Sequence, residues 1–140
     1  MGAGDWQWTD AWIFVAAVIA ERLERDRAAA AALPVAGATL ADVLAAAAFL
    51  HDGVPGRDDL ENAVRRLAGA GLLTVDDDMV TVAPAGEQLW RTRPFRGLSS
   101  AVVTMQTQLN RVAKPGMATW ALDEPTYAAA LLEYSRRDGA

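Results

Sequence analysis

From Thr9 to about Asp26 the apolar residues return at helical spacing, with Trp12, Ala16, Ile19 and Leu23 at steps of four, three and four. Phe14, Val15 and Val18 make the other face apolar too, so this first helix is expected either at the centre of the core or shared with a partner. Thr9 is its expected N-cap, and Leu33-Pro34 its latest stop. A second helix is predicted from Thr39-Leu40, with Leu40, Val43, Leu44, Ala47 and Leu50 on one face. Gly53, Pro55 and Gly56 break it. The third is expected to open at Asp58, with Glu61 as its capping-box partner. It turns Leu60, Val64, Leu67 and Ala68 inward and ends at Gly69 or Gly71. Two short β runs follow, Leu72 to Val75 and Met79 to Val82, joined by Asp76-Asp77-Asp78. They predict a hairpin.

Beyond the hairpin, Arg91, Arg93 and Arg96 surround Pro94 in a short linker. The next helix, GLSSAVVTMQTQLNRVA, places Leu98, Val102, Met105, Leu109 and Val112 at steps of four, three, four and three. That is an a/d heptad seam, which predicts a homodimer interface; the competing reading packs the seam on the chain's own first helix. Pro115-Gly116 ends the helix. Asp123 and Pro125 start a last one that runs through Tyr127, Leu131 and Tyr134 to Arg137.

With 140 residues, 52% of them hydrophobic, and no cysteine, the chain is one domain's worth of globular protein. The apolar run from Ala11 to Ala20 is about half the ~20 residues of a membrane span, and Asp5 and Asp10 stand where a secretory signal has bases. The expectation is a cytoplasmic protein with no membrane partner. One histidine and no cysteine remove Cys-His nucleophiles and most zinc sites. Ser99 and Ser100 lack a G-x-S-x-G setting, no glycine-rich phosphate signature is present, and Asp76-Asp77-Asp78 lacks calcium-loop spacing. His51 suits a capping role at the end of the second helix. No enzyme activity, catalytic residue, cofactor or metal site is therefore expected.

The stretch RDDLENAVRRLAGAGLLTVDDDMVTVAPAGEQLW, residues 57–90, taken with the order of elements before it, resembles a winged helix-turn-helix domain of the MarR and PadR regulator families. Thr81, Pro84, Gly86 and Leu89 match the T-x-x-G-like element that starts the helix after the wing. The resemblance covers about residues 9–90. It implies a mainly α fold, three helices plus a two-stranded wing over residues 1–90; residues 91–140, outside the resemblance, are read from their seam as a helical extension that dimerises. It also implies a DNA-binding transcriptional regulator whose third helix enters the major groove. The DNA-contacting candidates there are Arg57, Asn62, Arg65 and Arg66, with Asn62 suited to adenine and Arg66 to guanine. A plain Glu61–Arg65 surface pair is the alternative. Arg91, Arg93 and Arg96 would hold phosphates. In PadR-like dimers tryptophans hold planar aromatic ligands, a role open to Trp8, Trp12 and Trp120, against ordinary packing.

Charge opposes the DNA reading. The chain carries 13 Lys+Arg against 18 Asp+Glu, and phosphate neutralisation by bases supplies most DNA affinity. Residues 52–82 sum to −4 and residues 87–114 to +4, so the acid lies on the elements that would face DNA. Three functions stay open: a DNA-binding regulator, an acidic interaction module or accessory subunit, partnered by another protein, that does not bind DNA, and a binder of planar aromatic small molecules through the tryptophans.

Overall fold

The computed structural model describes residues 5–34, 37–94 and 100–138. Those residues form six helices and three short strands, so the molecule is mainly helical. In chain order they are α1 (Trp8–Ala30), β1 (Ala38–Thr39), α2 (Leu40–Leu50), α3 (Arg57–Gly69), β2 (Leu73–Asp76), β3 (Met79–Val82), α4 (Pro84–Arg91), α5 (Ala101–Val112) and α6 (Glu124–Asp138). The strands make one antiparallel sheet in the order β1-β3-β2. Among the described residues no helix is long and apolar enough to cross a membrane.

The apolar circumference of α1 is used within the chain. Every residue from Asp10 to Val18 is buried, and α2, α3 and α5 all pack against this helix while α6 lies on α2. The a/d seam is spent there as well. Met105 and Leu109 are fully buried and Val102 is nearly so, whereas Val112 is 61% exposed and Leu98 lies outside the described residues. The expected dimer seam is thus corrected to an in-chain contact, because α1 offers α5 the apolar surface that a second chain would otherwise supply. Val102, Met105, Leu109, Leu122 and Ala130 belong to the same core as α1, so residues 91–140 are not a separate body.

Local starts differ from expectation in instructive ways. The N-cap of α1 is Gln7 rather than Thr9, and the buried Asp10 carboxylate accepts its N–H at 2.9 Å. In α2, Thr39 and Asp42 cap each other: Thr39 Oγ1 accepts the Asp42 N–H and Asp42 Oδ2 accepts the Thr39 N–H. α3 begins one residue early, capped by Gly56, and its Glu61 carboxylate turns away to the C-terminal segment instead of closing a capping box. In the hairpin, Asp76 pairs with Met79, leaving Asp77-Asp78 as the loop, and Asp77 takes the left-handed region at φ +56°. β1, too short to show as a pattern, was not expected. Past its two residues, the N–H of Val82 on β3 finds the Glu21 carboxylate of α1 at 3.0 Å. Glu21 is 1% exposed, and Arg25 stands 3.0 Å from its other oxygen, which keeps this buried charge paired.

Asp42 also ties α6 down, since Arg137 donates to Oδ1 at 2.5 Å. Burial opposes ionisation of Asp42, but its hydrogen bonds with Thr39 and the Arg137 guanidinium outweigh it and hold the carboxyl below its ordinary 3.8. A carboxyl more acidic in the folded than in the unfolded chain adds stability above its unfolded pKa and loses it as pH falls through the folded value. Asp42→Asn should therefore lower the melting temperature at pH 7 and narrow its gap from the wild type below about pH 4. Melting curves across pH 2–7 that stay parallel would contradict this role.

Candidate functional site

One side of the α3 face that a DNA reader would present, the row Arg57, Glu61 and Arg65, is covered, while Asn62 and Asp59 stay exposed. From Ala113 to Asp123 the chain carries no helix or strand. This strap runs along α3 in the opposite direction, with Gly116 beside the Gly69 end and Leu122 beside the Arg57 end. The crossing at Gly69 is backbone on backbone: a Cβ on Gly116 would stand 2.6 Å from Gly69 Cα. There Gly116 N–H donates to the Arg66 carbonyl at 3.1 Å and Ala118 N–H to the Arg65 carbonyl at 3.0 Å. Small residues are required at this point because a side chain on either would force the two backbones apart.

The polar side chains of α3 answer the strap in turn. Arg65 Nε donates to the Trp120 carbonyl at 2.6 Å, and Glu61 accepts the Leu122 N–H at 2.7 Å. Arg57 Nη1 donates to the Leu122 carbonyl at 2.7 Å, and Arg57 Nε meets Glu124 at 3.1 Å. The Leu122 side chain between them is 1% exposed. Trp120 crosses to the hairpin and donates its indole N–H to the Asp77 carbonyl at 2.8 Å. The strap therefore closes the space between α3 and the hairpin tip.

Arg66, expected to read guanine, is held from the other side. Its Nε meets Asp10 Oδ2 at 2.9 Å, its second nitrogen reaches the Asp5 carbonyl, and its guanidinium lies 5.8 Å from the Trp6 ring centroid. Asn62 is exposed beside the equally exposed Asp59. Arg91 is exposed too, but the Arg93 guanidinium carbon stands over the Trp90 ring, 3.6 Å from its centroid, and Arg93 donates to the Trp90 carbonyl at 2.6 Å. Burial, then the nearby Arg22 charge, pushes the Arg93 guanidinium below its usual range. Arg96 lies outside the described residues.

Of the three tryptophans expected at a ligand site, Trp8 and Trp12 come together and Trp120 stands apart at the hairpin. Trp8 and Trp12 stand 5.2 Å apart between ring centroids with 36° between their planes, and His51 sits edge-on to both at 4.9 and 5.5 Å. A flat ligand between two rings needs about 7 Å, two van der Waals contacts of about 3.5 Å each. The Trp12 indole is further committed to the Ala47 carbonyl at 3.0 Å, and Trp120 is at the hairpin. Within one chain the pair is packed and leaves no slot for a flat ligand between its two rings. His51 remains at the end of α2, as its C-cap residue.

This arrangement holds an extended peptide by its backbone and presents carboxylates around it. Asp58 and Asp59 at the start of α3 and Asp76, Asp77 and Asp78 at the hairpin are all exposed. Sequence reasoning missed Gly69 and Gly116 as a matched pair, Glu61 and Leu122 as partners, and Asp10 as the anchor of Arg66. The available signal was an apolar pair, Trp120 and Leu122, in a segment with no helical or strand period. No protein-family model, curated protein or solved structure matches the chain.

Proposed function

We propose that the chain is a winged-helix domain serving as a protein-interaction module or accessory subunit, and that it does not read DNA with α3. The winged-helix reading is supported by the order α1-β1-α2-α3-β2-β3 and by a sheet that places β3 between β1 and β2. The observation that carries the functional reading is the strap across α3. Reading a major groove with Arg57 and Arg65 requires expelling Leu122 from the core and breaking the bonds of Arg57, Glu61 and Arg65 to the strap. Each such hydrogen bond contributes about 1 kcal/mol and the leucine about 1.5–3 kcal/mol. α3 itself carries three guanidiniums, Arg57, Arg65 and Arg66, against three carboxylates, Asp58, Asp59 and Glu61, and the hairpin adds the carboxylates of Asp76, Asp77 and Asp78.

Titration of the purified protein against duplexes from its own upstream region and against scrambled duplexes, at low and at moderate salt, tests the proposal. The expected result is no sequence preference, with Arg66→Ala and Arg93→Ala indistinguishable from the wild type. Saturable, sequence-dependent binding that weakens steeply with salt, and that Arg66→Ala relaxes by about 1–3 kcal/mol, would overturn it in favour of a regulator.

A further inference from the structure

Two large apolar side chains stand in water on facing walls of one groove: Leu23 of α1 is 62% exposed and Phe49 of α2 is 69% exposed. Between them lies a cavity of about 570 Å³, lined by Ile19, Ala20, Ala45 and Ala46. Its charged rim is balanced, with Glu24 paired to Arg27 on α1 and Asp42 paired to Arg137 of α6. Isolated exposed leucines need no explanation, but a phenyl ring and a leucine flanking an unfilled apolar groove do.

We propose that this groove is the self-association face of the protein, occupied by a second copy related by a two-fold axis. Two features select that occupant. The patch carries protrusion and recess side by side, so Phe49 of each copy enters the groove of the other, the self-complementarity that an isologous interface requires. The rim is the second feature. Two copies of a chain with net charge −5 repel over most of their surface, yet here each offers one acid for each base, so the approach of like to like brings no uncompensated charge. A strongly acidic or basic partner finds no complementary field at this rim. With two large exposed apolar side chains per copy at its centre, the contact is expected among weak, transient interfaces, with association in the micromolar range. The interface is distinct from the α5 seam, which is buried inside each chain, and its existence does not depend on whether α3 meets DNA.

Sedimentation equilibrium from low to several hundred micromolar protein tests the proposal with wild type, Phe49→Asp and Leu23→Asp. The wild type is expected to show a monomer–dimer equilibrium in the micromolar range. Each substitution acts twice in a two-fold dimer and should weaken association about a hundredfold, at least tenfold for each buried side chain lost. Both positions are exposed in the monomer, so circular dichroism and melting of the monomeric fraction should not change. A wild type that stays monomeric throughout would overturn the proposal and leave the groove to a helix of another protein or an apolar small molecule. A dimer that neither substitution weakens would overturn it too, placing the contact elsewhere.

Discussion

Replacing Met105 with alanine is expected to cost about 2–5 kcal/mol of folding stability, the usual range for emptying a fully buried site of this size. Met105 is completely buried on α5, the helix that packs along α1, and belongs to the core cluster containing Ile13, Phe14 and Val18. Val112, at the end of the same heptad register, is 61% exposed, and Val112→Ala should change stability by about 0.5 kcal/mol or less. Urea denaturation at one fixed protein concentration measures both, and sedimentation of Met105→Ala should match the wild type. Were Met105 a contact between chains, its truncation would abolish association and leave the monomer's stability almost untouched. That outcome would return the seam to a second molecule.

Gly116→Val should lift the strap from α3. A Cβ on Gly69 would meet the Gly116 carbonyl carbon at 2.6 Å, and one on Gly116 would press equally hard on Gly69, so neither backbone can yield without breaking the Gly116–Arg66 and Ala118–Arg65 bonds. Leu122 then loses its burial and Trp120 its bond to Asp77, a loss of about 3 kcal/mol or more. Amide exchange reads this directly, because the Ala118 and Leu122 N–H groups are both bonded donors to α3. Both should lose protection, and protease sites should open between residues 113 and 123. Gly56→Ala is the control: its added Cβ meets nothing within 4 Å, and its backbone is extended at φ −68°. Unchanged protection in Gly116→Val would mean that side chains, not the glycine crossing, set the strap.

How far the chain could be read depended on periodicity. The α1, α2 and α3 stretches and the hairpin announce themselves because a buried face repeats at a helical step or alternates along a strand. The heptad of α5 is equally plain, but a seam of period 3.5 looks the same whether its partner is another chain or a helix ninety residues earlier. Only the exposure of Val112 beside the burial of Met105 separates the two cases. β1 is two residues long and stands on its pairing with β3, which no local pattern encodes. The strap is harder still. It binds through backbone N–H and C=O groups that every residue possesses, and its side-chain requirement is negative, the lack of a Cβ at two glycines far apart in sequence. The charge map came nearest to the site: the exposed acids at Asp58, Asp59 and Asp76–Asp78 flank the row of α3 that the strap covers.

The bonds of Trp6 have a consequence for the order of assembly. Its N–H and indole N–H reach Asn110 and Ala113, at 3.1 and 3.0 Å, across more than a hundred residues of chain. α1 lies far ahead of α5 in the chain; its stretch from Asp10 to Val18 is buried throughout, and α5 supplies one of the walls around it. A ribosome that has just released residue 90 thus holds a core lacking a wall. Contacts of such high sequence separation slow folding, because loop closure precedes any gain. Completion of this core waits on α5, and until then the apolar stretch of α1 from Ala11 to Val18 is exposed to aggregation.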